Sequence, residues 1–192
     1  MEINIVAVEG LSGLLDDLDH IPETQRQAAV AAINKTADRT RTQASRLMRN
    51  QVDFKASYLD ERLKVTKYAR GRDLTAVIRG RDRPTSLARF ITHVSKGKGV
   101  AVAVKPGVAR FIKRSFIFKG GTNQQNRLLA VRTDGGKPAG AYKPIRLTDK
   151  LWLIYGPSID QVFRVVRDDV APAAAEYLET EFNRIMDAEV FK

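Results

Sequence analysis

The chain has no cysteine. That excludes disulfide staples and thiolate metal sites, and it fits a reducing compartment. Histidine is scarce: His20 and His93 are the only two, and neither has a carboxylate or a second imidazole at ligand spacing. No run of about 18 apolar residues occurs, so no transmembrane helix is expected. The opening residues 1–9 carry acids and lack a basic n-region, unlike a secretory signal. A soluble protein made in a cytoplasm is the expectation. Catalytic signatures are missing too: there is no Gly-x-Ser-x-Gly, no His-Glu-x-x-His and no phosphate-cradling loop. The stretch Ser95-Lys96-Gly97-Lys98-Gly99 resembles a phosphate loop only superficially, because it lacks the flanking glycine and the following helix. The acid pairs Asp16/Asp17 and Asp168/Asp169 flank helical stretches. Neighbours on a helix point about 100° apart, so these pairs read as dipole partners or solvated faces. No enzyme activity, cofactor or metal is expected.

What the chain does have is concentrated positive charge. Between Arg62 and Lys119 lie sixteen Lys or Arg residues and only two acids, Asp73 and Asp82. That third of the chain is +14 within a total of +11, so the flanks sum to −3. One reading is a set of solvated strand faces, since cations on edges also block unwanted pairing. The other is a surface that meets a polyanion or an acidic neighbour. The stretch lacks the aromatic pattern of a single-strand stacking platform, because Phe111, Phe116 and Phe118 alternate like core residues. No zinc finger, RRM or KH signature appears, so sequence-specific nucleic-acid recognition is not expected. Lys96, Lys98, Lys113 and Arg114 are the candidate residues facing DNA or a partner.

Periodicity sets out the elements. Residues 2–8 read as a short strand, and Leu11, Leu14, Leu15 and Leu18 follow helical spacing. Pro22 precedes a long helix over about 23–50, with a narrow stripe at Val30, Ile33, Ala37, Thr40, Ala44 and Leu47. Within it Ile33, Ala37, Ala44 and Leu47 are the candidate helix-packing residues, small enough for close approach. Ser57 is read as the N-cap of a second short helix. Residues 63–68 and 74–81 alternate around Gly71 and predict a hairpin. Further strands are expected over 100–105, 110–119 and 128–132, and Trp152 to Tyr155 form a short apolar run. Ser158 caps a helix through Val162 and Phe163. A separate helical stripe starts at Asp168, with Pro172 in its first turn. The expected fold is α+β: a long N-terminal helix and a C-terminal helix packed on a mainly antiparallel β-sheet. Residues 1–192 are expected to form one domain, with loop extensions around 95–99 and 134–140.

At Ala32-Ile33-Asn34-Lys35-Thr36-Ala37 the sequence resembles the minor tail protein Z family of long-tailed bacteriophages, the lambdoid tail-completion proteins. The resemblance continues through Tyr58 to Lys64, a strand ending near Ile78, Arg110-Phe111-Ile112 leading to Gly120, and Leu129 to Arg132. It closes with Ile154-Tyr155-Gly156-Pro157-Ser158-Ile159 and Phe163, covering about Gln25 to Met186 in order. The resemblance implies a structural virion protein that completes the head-proximal end of the tail and supports head–tail joining and DNA delivery. It implies a location in the virion tail or neck, reached from the host cytoplasm during assembly. It also implies a homo-oligomeric ring, hexameric on the sixfold tail axis. The implied partners are the tail terminator, tail tube or head-closure proteins and packaged DNA, without a membrane. The alternative from the residues themselves is a stand-alone, non-specific nucleic-acid-binding protein with salt-dependent affinity.

Overall fold

The computed structural model describes residues 22–119, 127–138 and 142–190. The strand expected over 2–8, the helical leucines 11–18, Asp16/Asp17, His20 and residues 120–126 and 139–140 lie outside the described residues. The described chain divides into two compact units. One holds 22–47, 59–80 and 163–190, and the other 48–58, 81–119, 127–138 and 142–162.

Helix α1, Glu23–Gln51, starts after Pro22, whose carbonyl accepts the Arg26 N–H at 3.1 Å. Glu23 sits in the first turn and Arg49 in the last, the polarity that the helix dipole favours. In the first unit α1 buries Ala29, Ala32, Ile33, Thr36, Ala37, Thr40 and Ala44, while Val30 and Leu47 are half-buried. The buried arc is wider than the expected stripe because α1 meets two neighbours in this unit. Ala29, Ala32, Ile33 and Ala37 share one cluster with Leu178 of the C-terminal helix and with Ala69, Leu74 and Ala76. Ala at these contacts keeps the approach close. A fully buried Leu178 contributes about 1.5–3 kcal/mol relative to exposure.

Helix α2, Ala56–Arg62, begins one residue before Ser57, so Ser57 lies inside the first turn rather than capping it. It runs directly into β1, Leu63–Lys67, which pairs antiparallel with β2, Val77–Gly80. The hairpin is present, but its second strand is shorter than the alternation suggested. Its turn holds Gly71 at φ 54°, and Lys67 pairs with Asp73 at 2.5 Å. Two links tie the Ala-Ile-Asn-Lys segment of α1 to this unit. Asn34 Nδ2 donates to the Ala69 carbonyl at 3.1 Å and Asn34 Oδ1 accepts the Ala69 N–H at 2.8 Å. Lys35 Nζ donates to Glu181 at 2.7 Å, and Arg184 also clasps that carboxylate through Nη2 at 2.7 Å. These two cations hold the Glu181 carboxyl at about 2, well below its ordinary value of 4.5.

The second unit is β-rich, and every strand pairing in it is antiparallel. One sheet runs β3 (Thr85–Ser86), β10 (Leu151–Gly156), β8 (Arg127–Arg132), β7 (Ser115–Lys119), with β9 (Tyr142–Thr148) on the other side of β10. Central strand β10 carries Leu153 and Ile154, and β8 carries Leu129, Ala130 and Val131, all buried. The other sheet has three strands, β4 (Ile91–Ser95), β5 (Gly99–Lys105) and β6 (Val108–Lys113), with β5 central. The segment after α1 is fastened to β5 by the Asp53 N–H on the Val104 carbonyl at 2.8 Å. Phe54 then packs its ring 6.1 Å from Tyr58 and 5.6 Å from Phe90.

Helix α3, Ile159–Val190, is continuous. Ser158 is its cap: Ser158 Oγ accepts the Gln161 N–H and Gln161 Oε1 accepts the Ser158 N–H, both at 3.1 Å. The separate helix expected from Asp168 does not exist. Pro172 lies mid-helix on the exposed side, where the Asp168 carbonyl that loses its helical partner can be hydrated.

Candidate interaction surface

The run expected as one strand over 110–119 is two strands in two sheets. The break is Arg114, whose φ of 57° is left-handed, the one non-glycine residue so placed among those described. Its N–H donates to the Lys98 carbonyl at 2.9 Å, and its own carbonyl accepts the Arg132 N–H at 3.1 Å. Buried Ser115 secures the corner next to it: its Oγ donates to the Ile112 carbonyl at 2.7 Å and accepts the Val100 N–H at 3.0 Å. The turn between β4 and β5 is tight, closed by the Lys98 N–H on the Ser95 carbonyl at 3.0 Å.

These bonds gather the four candidate cations at one end of the three-stranded sheet. Lys96 and Lys98 occupy the turn, Lys113 lies opposite Gly99, and Arg114 follows it. All four are exposed. Their charges are not equivalent. Arg114 Nη1 donates to both carboxylate oxygens of Asp134 at 2.6 Å, so its charge is already matched. Lys96, Lys98 and Lys113 form no ion pair among the described residues. The sixteen cations, continuous in sequence, are shared between the two units, which divide at 80/81. Arg89 is spent on the Tyr58 ring at 4.2 Å, and Arg132 on Phe116 at 4.7 Å.

The face of this sheet also corrects one reading. Val100 and Val102 of β5 are buried and mark the core side. The opposite side carries the cross-strand row His93, Ala101, Phe111. Alternation groups Phe111 with core residues, yet it is 48% exposed. Its ring lies over the Cα side of Gly99, which has no side chain to displace it. The sequence held a signal for this: Lys113, two residues on, shares its face. The four packing candidates belong to the first unit. Ile33, Ala37 and Ala44 are buried in α1 and Leu47 is half-buried.

His93 is exposed on its strand with no acid facing it in the row. Among the described residues no group of three His, Asp or Glu could hold a metal ion, and no helix is long and apolar enough to cross a membrane. The sheet end presents exposed cations beside the exposed Phe111, a composition suited to docking.

Compared with known families, residues 8–190 match the prophage minor tail protein Z (GPZ) family, and the chain belongs to it. No curated protein and no solved structure gives a match. The chain is thus a structural minor tail protein of a bacteriophage, acting in tail completion among other tail-assembly proteins and not as an enzyme.

Proposed function

We propose that this prophage minor tail protein Z family member acts as a ring of identical copies at the head-proximal end of the tail. There it completes the tail, supports joining to a filled head and lies on the path of the delivered DNA. A sixfold tail axis makes the ring a hexamer, in contact with the tail terminator, tail tube or head-closure proteins. The observation that carries this reading is the group of exposed, unpaired lysines at one sheet end, Lys96, Lys98 and Lys113, in a chain of net charge +11. A surface of this kind attracts DNA or an acidic neighbour.

The test replaces Lys96, Lys98 and Lys113 together with Gln in the phage. Exposed cations each add little to stability, so the melting temperature of the purified variant should stay at the wild-type value. Tail assembly or joining, scored by electron microscopy and infectivity, should fall. Normal infectivity with normal joined particles refutes the role of this surface. A wild-type protein absent from finished tails refutes the placement.

A further inference from the structure

Helix α3 presents a second surface. Val165, Asp169, Pro172, Glu176, Glu179 and Asp187 follow one another at spacings that keep them on one side of a helix, and all are exposed. The stripe has four carboxylates and no cation. None of these four acids is ion-paired among the described residues, and Val165 is 61% exposed at one end. Among the described residues of the first unit this stripe has no partner.

We propose that the acidic stripe of α3 in one copy docks on the Phe111 face of the β4–β5–β6 sheet in a second copy. The inference rests on the reading of the chain as a self-assembling tail protein and names the surfaces that assemble it. The two faces complement each other in both respects that matter at an interface. Phe111 supplies an exposed aromatic anchor and Val165 an exposed apolar one, the residue types that dominate well-packed contacts. Lys96, Lys98 and Lys113 supply unpaired cations around the ring, and Asp169, Glu176, Glu179 and Asp187 supply unpaired anions. Opposed patches fix register and suppress wrong pairings. The two faces are different patches of one chain, so the contact is heterologous. Each contact uses one sheet face and one stripe, so copies add head to tail into a closed ring or an open fibre unless two copies dock reciprocally, stripe on sheet twice, as a two-fold dimer.

Charge reversal tests this on the purified full chain. One variant carries Lys98→Glu and Lys113→Glu, and another carries Asp169→Lys and Glu176→Lys. Every site is exposed, and unchanged melting curves confirm folding. Sedimentation velocity should show an oligomer for the wild type and monomers for each variant alone. Mixing the two variants restores both pairings, the wild-type sheet of the second on the wild-type helix of the first and the reversed sheet of the first on the reversed helix of the second, and should give a mixed oligomer. Combining all four reversals in one chain should restore the oligomer, and Phe111→Ala should abolish it without any change of charge. A monomeric wild type, variants that still oligomerise, or a mixture that stays monomeric each overturn the proposal. So does a Lys98→Glu/Lys113→Glu variant that keeps its oligomer but loses binding to a double-stranded DNA fragment, which would assign the face to nucleic acid. These outcomes are read in solution, so they remain distinct from the fate of the tail-end reading, which is read from virions.

Discussion

Placing an alanine at Gly99 should be among the most damaging small changes in the second unit. Gly99 has φ 154°, backbone territory that L-residues rarely enter, at a cost of about 1–3 kcal/mol. A Cβ there would lie 2.9 Å from Phe111 Cζ and 3.1 Å from the Ile112 carbonyl carbon, and closer still to the Ile112 carbonyl oxygen. The Phe111 ring can rotate away. The Ile112 backbone cannot, because its carbonyl accepts Ser115 Oγ and Ile112 pairs with Val100. Overpacking of that kind adds about 1–3 kcal/mol. Together the loss should be about 3–5 kcal/mol, at the top of the range for single substitutions.

Gly97 provides the control two residues away. It also has positive φ, 75°, but a Cβ there meets nothing within 4 Å. Gly97→Ala should therefore lose only the backbone contribution, about 1–2 kcal/mol. Urea denaturation followed by fluorescence of Trp152, the single tryptophan, in β10 of the same unit, measures both. The double variant Gly99→Ala/Phe111→Ala should recover little, because the backbone overlap remains. Equal losses at 97 and 99, or near-complete rescue by Phe111→Ala, would refute the assignment of the penalty to the Ile112 carbonyl.

Asn34→Ala removes both bonds that close around Ala69 and leaves that buried peptide without partners, so stability should drop by about 2–4 kcal/mol in chemical denaturation; a loss below about 1 kcal/mol would contradict the clamp. Glu181 has a folded-state value near 2 against an ordinary 4.5, so its contribution is fully present above that ordinary value and is lost as pH falls toward 2. Glu181→Gln should flatten the decline of melting temperature across that acid window, and parallel wild-type and variant profiles would show that the Lys35–Glu181–Arg184 cluster does not govern it.

Local rules reached the parts of the fold that local rules decide. The limits of α1 follow from Pro22 and a small-residue repeat, and the hairpin at Gly71 and the Ser158 cap follow from turn and capping chemistry. Most of the misses have a different cause: they depend on something distant in sequence. An arginine gives no local sign of left-handed backbone, where glycine is the usual occupant, so the split at Arg114 was invisible. Its charge is neutralised by Asp134, twenty residues on. Asn34 was legible as part of a motif, but its partner Ala69 lies thirty-five residues away. Strand β9 was hidden by Pro144, which a sheet tolerates at its margin, where no ladder bond is demanded of it. Phe111 shows the limit of alternation: it tells which residues share a face and not which face is covered. The clustering of lysines was visible as charge, and only the register of β5 on β6 shows that Lys98 and Lys113 meet at one end.

In the proposed assembly, self-docking and a role beside DNA would be complementary uses of the same charge. When four acids of one copy meet lysines of the next, charge is matched locally but none is removed, so each copy in an assembly still carries its formal +11. A ring held this way accumulates positive charge with every subunit added, and that charge opposes further growth unless an external anion offsets it. Phosphate-rich DNA or an acidic tail protein supplies what the ring cannot supply from its own residues. The proposed docking face uses Lys96, Lys98 and Lys113, and an external anion would meet exposed cations of the middle segment outside that contact, such as Lys105 and Arg110. Salt acts on both contacts in the same direction, weakening the copy-to-copy pairing and the attraction to the anion together. Assembly at low ionic strength without an anion should therefore be limited by repulsion among subunits, and at high ionic strength by loss of the docking pairs. A maximum at intermediate salt, moved to lower salt when DNA is added, is the behaviour this charge distribution requires.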